Sequence, residues 1–326
     1  MGLLTLNGTI DLAQFWPDGE SDADTVKVNL AAQNPFVFKS NPNGAGKPTS
    51  VFIGAVVHGK VRKQAIDKKN RVVIRLQGID APELHYPGVG SPKFRQHLAE
   101  GATLALHDFL KKLGPNPLRC KVTTNVQKPK EVFDTYGRFI GDIHVIVGGK
   151  SINVNQWLIS EGWVFPSFYN SMTDAEINTL LALSEQARLQ GRKNLWARGR
   201  YAANLGQLDQ ALTYNRKGPP DTNDKGPVIF AKFYRRLYQF DADRASGKTT
   251  TASLKAYLDE PAPSKRDKFH LTNEFLDQGA TAAPIYDLGD SINPNNRLRH
   301  QPKDFVFKEG ASKIFDANGR EIIAWQ

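Results

Sequence analysis

The sequence predicts an α+β fold: a small five-stranded β-barrel packed by helices, followed by a mixed α/β C-terminal extension. Three observations carry this. Short runs alternating between polar and apolar residues recur before residue 150. A stripe of apolar residues at helical spacing falls between the third and fourth of these runs. A stretch rich in Pro and Gly, from Tyr214 to Pro227, divides the chain by composition.

The elements follow in order. Leu4 to Ala13 alternates as a first strand, and Pro17-Asp18-Gly19 turns it. Asp22-Ala23-Asp24-Thr25-Val26-Lys27-Val28 is an acidic turn entering a second strand. Residues 31–70, rich in Asn, Gly, Pro and Lys, form an excursion with one apolar island at 51–57. Gln64 to Asn70 is a basic turn before the strand that carries Arg75. Ser91-Pro92 opens a helix with Phe94, Leu98, Ala102, Ala105, Phe109 and Leu113 on one face, and Gly114-Pro115 ends it. Leu118 to Val126 is a fourth strand, and Arg138 starts a fifth with Phe139, Gly141, Ile143 and Val145 sharing a face. A short helix runs from Asn153 to Glu161. Thr173-Asp174-Ala175-Glu176 is a capping box that opens a helix to about Trp196. Five strands with these helices fit an antiparallel barrel of the oligonucleotide-binding type. The expected organisation is a barrel domain over 1–213 with the insertion 31–70, a linker over 214–227, and an accessory region over 228–326. In that last region Ile229 to Phe240 reads as a helix, and the end reads as a hairpin turning at Asn318-Gly319.

Composition narrows the function. The mean hydropathy of −0.45 and the lack of any long apolar run fit a soluble globular chain with no membrane span. Met1 to Leu12 lacks a basic segment followed by an apolar core, so no signal peptide is expected and a cytoplasmic location is favoured. Cys120 is the one cysteine, which excludes an intrachain disulfide or a thiolate metal cluster. The net charge of +10 favours a polyanionic partner. Residues 1–200 hold 25 Lys and Arg against 17 Asp and Glu, so most of the excess lies there.

Three clusters carry chemistry: Asp22 with Asp24, Arg75 with Asp80 and Glu83, and Arg138 in a Tyr-Gly-Arg turn. Phosphodiester hydrolysis needs such a set. A hard divalent cation held by carboxylates offsets the anionic substrate. A carboxylate takes the proton of the attacking water. Guanidiniums grip phosphate oxygens two at a time and stabilise the pentacoordinate transition state.

With Asp22-Ala23-Asp24-Thr25-Val26, Arg75-Leu76-Gln77-Gly78-Ile79-Asp80-Ala81-Pro82-Glu83 and Asp134-Thr135-Tyr136-Gly137-Arg138 in this order, the chain resembles the staphylococcal nuclease (thermonuclease) family over about residues 3–200. Glu161-Gly162-Trp163 and Asn194-Leu195-Trp196 add to the likeness. The resemblance implies a nuclease acting on DNA, RNA or both. It implies Asp24, Asp80 and the backbone carbonyl of Ala81 as ligands of calcium or another divalent cation. It implies Glu83 as general base, Arg75 and Arg138 as phosphate clamps, and Tyr136, Phe168 and Tyr169 as substrate contacts. Asp22 is at most a supporting acid. The excursion 31–70 is longer than the family's usual link. Ala81 replaces its usual Thr, and Thr135 stands where a Lys is often found. A binding module without catalysis on the same barrel is the alternative; such modules lose the acids or arginines, which this chain keeps.

Overall fold

The computed structural model describes all residues except 32–35, 42, 47, 55–61, 88–91, 192–193, 208–211, 222–223, 225 and 309. Five strands close a barrel: β1 (Gly2–Ile10), β2 (Thr25–Leu30), β3 (Arg71–Leu76), β4 (Leu118–Val126) and β5 (Phe139–Val147). Their order is β5-β3-β2-β1-β4, and β4 pairs back onto β5 to close the ring. The barrel is mixed, not wholly antiparallel. The chain leaves β3, crosses through a helix into β4 and turns back, so β5 runs parallel to β3, with Ile140 opposite Arg75. A further strand, β6 (Lys150–Asn153), extends β5 as a hairpin.

Alternation decides which side chains enter the core. In β3, Val72, Ile74 and Leu76 are buried inside, so Arg71, Val73 and Arg75 face outward. In β2, Val26, Val28 and Leu30 point in and Thr25 points out, directly across from Arg75. A slip of one residue would turn Arg75 into the core, so burial of the aliphatic row fixes where the guanidinium emerges. Cys120 packs inside as a small apolar residue, and burial pushes its thiol up to about 12.

Helix α1 (Ala99–Leu113) buries Ala102, Leu106 and Leu110 against the barrel. It starts well after the expected Ser91-Pro92; Ser91 lies outside the described residues. Between Pro92 and Ala99 the chain makes a bridge at Phe94 and a turn at His97–Leu98. Phe94 exchanges backbone hydrogen bonds with Tyr86 (2.7 and 2.8 Å), and the Leu98 N–H donates to Asp224 Oδ2 (3.0 Å). These tertiary bonds outbid a local cap. Helix α2 (Val154–Ser160) is capped by the Asn153 side chain. Helix α3 (Asp174–Leu189) has the expected Thr173–Glu176 capping box and stops before Gly191, whose φ of 56° ends it well short of Trp196.

The excursion builds two small hairpins, Phe36–Val37 with Pro48–Thr49 and Phe52–Gly54 with Arg62–Gln64. Phe36, Phe38, Val51 and Ile53 drop into the barrel's core cluster. Part of its apolar island, 55–57, lies outside the described residues.

Beyond residue 228 come α4 (Ala231–Ala245), α5 (Leu254–Asp259) and α6 (Thr272–Gln278). A four-stranded sheet joins them: β7 (Phe168–Tyr169), β8 (Lys268–Leu271), β9 (Tyr286–Asp287) and β10 (Phe305–Lys308), in the order β7-β10-β8-β9. Thus β10 pairs inside this sheet, not with the end of the chain. Ile314–Phe315 instead pairs with Phe52–Ile53 of the excursion, and the turn at Asn318-Gly319 folds back onto it. A second apolar cluster joins Leu98, Phe165 and Leu195 to Phe230, Phe233, Leu237, Phe305 and Phe307. Each such fully buried ring contributes roughly 1.5–3 kcal/mol. The segment 214–227 is fastened by Arg95, a buried guanidinium that pairs with Glu100 (3.1 Å), Asp221 (3.2 Å) and Asp224 (2.8 Å). Among the described residues no helix is long and apolar enough to cross a membrane.

Candidate active site

Arg75 leaves the end of β3 and the chain turns at once. Gly78 makes that turn with φ of 75°, and a Cβ there would lie 2.3 Å from Leu180 Cδ1. Asn155 braces it, donating to the carbonyls of Gln77 (3.0 Å) and Gly141 (3.3 Å). The turn delivers Ile79–Asp80, which pairs with Phe165–Pro166, and then Ala81 and Glu83.

Arg75 is the hub. Its side chain is 11% exposed; Nη1 lies 2.8 Å from Asp24 Oδ2 and Nη2 lies 2.6 Å from Asp80 Oδ1. Nη1 is buried and meets Asp24 as an ion pair, without an acceptor in hydrogen-bonding alignment. Asp24 Oδ2 also accepts from the Ala81 N–H (2.8 Å), and Asp24 Oδ1 accepts from the Thr25 hydroxyl (3.1 Å). Thr25 Oγ1 in turn receives Arg138 Nη1 (3.3 Å). Arg138 is aimed by Asp134, whose Oδ2 takes its Nε (2.7 Å) and whose Oδ1 takes the N–H groups of Tyr136 and Arg138. Gly137, with φ of 77°, permits that turn.

Arg235 is the residue that sequence reasoning missed. It reaches in from α4, places Nη2 3.0 Å from Asp80 Oδ2, and pairs with Glu83 through Nη1. Gln96 ties the two regions together, accepting from the Glu83 N–H (2.9 Å) and donating to the Ile229 carbonyl (2.8 Å). An unbroken run of contacts therefore links Arg138, Thr25, Asp24, Arg75, Asp80, Arg235 and Glu83. The one sequence signal for Arg235 is a basic pair, Arg235-Arg236, beside the apolar stripe of a predicted helix.

Burial works against charge on Asp24, but Arg75, the Ala81 N–H, Arg138 and Arg235 outweigh it and hold the carboxyl below the usual range. Glu83 moves the other way: burial raises it, Asp80 and Asp24 add to the rise, and Arg235 opposes it. Burial and the neighbouring Asp24 push Asp22 up to about 7. Arg75 stays protonated although burial disfavours its charge, because Asp24 and Asp80 hold it.

Tyr136 stands 69% exposed beside Arg138, whose guanidinium carbon is 5.6 Å from its ring centre. Phe168 was expected to touch substrate, but its ring is fully buried in the barrel's core cluster. In so short a strand, alternation does not show which ring turns inward. Tyr169 is half-buried, packs against Phe307 and sits in the field of Arg75 and Arg235.

The oxygen donors Asp24, Asp80 and Ala81 have the right chemistry for a hard cation. Their arrangement does not fit one. Both Asp80 oxygens are engaged by guanidiniums, Asp24 Oδ2 is held by Ala81 and Arg75, and Arg235 lies over the Asp80–Glu83 pair. Among the described residues no group of three or more His, Cys, Asp or Glu is placed to hold a metal ion.

No curated protein matches the chain. Residues 73–198 match the family model described as staphylococcal nuclease homologue. That span runs from within β3 to just past α3, so Arg75, Asp80, Glu83 and Arg138 lie inside it, while Asp24 and Arg235 lie outside. Over residues 73–198 the chain is therefore similar to staphylococcal nuclease homologues, whose domain is of the oligonucleotide-binding barrel type, with additional chain on either side of that span.

Proposed function

We propose that the protein is a nuclease that hydrolyses phosphodiester bonds of DNA, RNA or both with little regard for sequence. The convergence of Arg138 with Arg75 and Glu83, two segments far apart in the chain, on one outer face of the barrel supports this best. In this reading a scissile phosphate lies between Arg75 and Arg138. The guanidinium of Arg75, 11% exposed, meets one of its oxygens, and the partly exposed Arg138 meets another. Glu83 accepts a proton from a water that attacks phosphorus, and the P–O bond opposite the water breaks. The leaving oxygen is protonated by solvent. The guanidiniums stabilise the extra negative charge of the five-coordinate state, a contribution that low local dielectric strengthens. With Asp80 and Glu83 taken up by Arg235, the proposed reaction draws on protein groups. Tyr136, exposed beside the clamp, offers a face on which an unpaired base stacks. Contacts directed at phosphate and not at base edges explain why broad specificity is expected.

The test is cleavage of single- and double-stranded DNA and of RNA, each with calcium or with chelator, by the full chain and by Glu83→Gln and Arg75→Ala. Glu83→Gln should slow cleavage by about 10²–10⁴-fold, the usual weight of a general base. Cleavage unchanged in both variants would refute this assignment of roles. Binding that weakens with salt, with no cleavage under any condition, would instead identify a non-catalytic binding module.

A further inference from the structure

We propose that Arg235 stands in for the divalent cation in this chain: a guanidinium fixed on α4 neutralises Asp80 and Glu83 and presents positive charge to the phosphate. The activity arm of this inference rests on the function proposed above; the metal-binding arm does not.

Four observations support it. First, position: Arg235 contacts Asp80, an expected metal ligand, and Glu83, the expected base, at the same time. Second, charge. Asp24, Asp80 and Glu83 face Arg75 and Arg235, leaving one net negative charge. Without Arg235 the same cluster carries two, which a divalent ion would balance. With both present, a doubly charged ion would sit beside a fixed guanidinium, and the two repel at short range. Third, accessibility. The Asp80 side chain is 0% exposed while that of Arg235 is 26% exposed, so solvent reaches the Arg235 side chain and not the carboxylate that it pairs with. A planar donor fork there is oriented to take a phosphate oxygen along with its carboxylates. Fourth, rigidity. Helix α4 is seated by Phe230 and Phe233, both fully buried, by the Gln96 bridge to Glu83, and by Arg236 Nε on Asp267 (2.5 Å). Tyr86, from the loop after Glu83, packs edge-on against Tyr234 and Tyr238 of α4. Arg235 is thus part of the packed core's edge and is no loose strap laid across a finished site.

The experiment is calorimetric titration of calcium chloride into the full chain as wild type, Arg235→Gln, and Arg235→Gln with Asp80→Asn. The expected result is at least about tenfold tighter calcium binding by Arg235→Gln than by wild type, lost again when Asp80→Asn is added. Equal affinity in wild type and Arg235→Gln overturns the proposal. If Arg235→Gln does not fold, wild type decides alone: calcium binding that Asp24→Asn abolishes overturns the proposal, and its absence upholds it. In the activity arm, wild type should cleave nucleic acid in chelator. Arg235→Gln should lose that activity and regain part of it when calcium is added. Cleavage by wild type that stops in chelator, or faster cleavage by Arg235→Gln in chelator, overturns the proposal. If no protein cleaves under any condition, the functional reading fails, while the calcium titration still decides the role of Arg235.

Discussion

Gln96 is the sharpest place to perturb the link between the two halves of the site. It is 4% exposed, and its amide spans the Glu83 N–H and the Ile229 carbonyl with bonds of 2.9 and 2.8 Å. Gln96→Met keeps most of the volume and removes both bonds. One buried donor and one buried acceptor are then orphaned, each at a cost of about 1–3 kcal/mol, of which small relaxations recover part. A loss of about 2–4 kcal/mol follows, a large share of the roughly 5–15 kcal/mol of a typical folded protein. In a chain of this size that lowers the melting temperature by about 3–6 °C. Urea unfolding followed by fluorescence and by circular dichroism measures it, with coincident curves as the check on two-state behaviour. Gln96 touches no substrate in the proposed reaction, so any effect on cleavage must come through the placing of Glu83 and Arg235. A Gln96→Met protein within about 0.5 kcal/mol of wild type would refute the claim that this bridge holds α4 to the site loop, since surface substitutions alone give changes that small.

Further outcomes follow from the same geometry. Gly78→Ala combines a positive φ with a Cβ 2.3 Å from Leu180 Cδ1, so it should destabilise by about 1–3 kcal/mol, and Leu180→Ala should not restore the backbone part; paired melts of the single and double variants check this. Asp142 is pushed up to about 7 by burial and by nearby Glu176, so the folded state binds a proton more tightly than the unfolded chain does. Its contribution is therefore favourable at low pH and is lost as pH rises from about 4 to about 7, and Asp142→Asn should be relatively more stable than wild type at pH 8 than at pH 5, by up to a few kcal/mol in urea melts. Tyr136→Ala should leave stability within about 0.5 kcal/mol because the ring is exposed, yet weaken binding of single-stranded DNA by about 1–3 kcal/mol in a fluorescence anisotropy titration.

Much of the site is legible because its chemistry is local. Arg75, Asp80 and Glu83 lie on one strand and turn, and the alternation of Val72, Ile74 and Leu76 already dictates that Arg75 faces out. Asp134 and Gly137 set the aim of Arg138 within five residues. The barrel is legible for the same reason, since strand alternation and helix caps are written residue by residue. Where tertiary bonds override local signals, the reading fails. A Pro after a cap residue predicts a helix start at 91–92, but Arg95 and Gln96 are drawn to distant partners and the helix waits until Ala99. Phe168 fails because its burial is set by pairing with β10, far along the chain. Arg235 was hidden most completely. The apolar stripe of α4 is visible, but no local pattern says that the arginine at its edge meets an aspartate 155 residues earlier.

That separation bears on how the molecule assembles as it is synthesised. A chain emerging from the ribosome completes β5 and α3 long before α4 exists, so Asp80 first has Arg75 as its available partner and Glu83 has none from α4. Phe165 and Leu195 stay uncovered over the same interval, until Phe230 and Phe233 arrive. The hairpin at Phe52–Gly54 waits still longer for the edge strand Ile314–Phe315. Long-range pairings of this kind slow folding and leave apolar surface open to the wrong partners. The charge cluster therefore stays unfinished on the nascent chain, and the site is complete only after the last third of the chain has emerged.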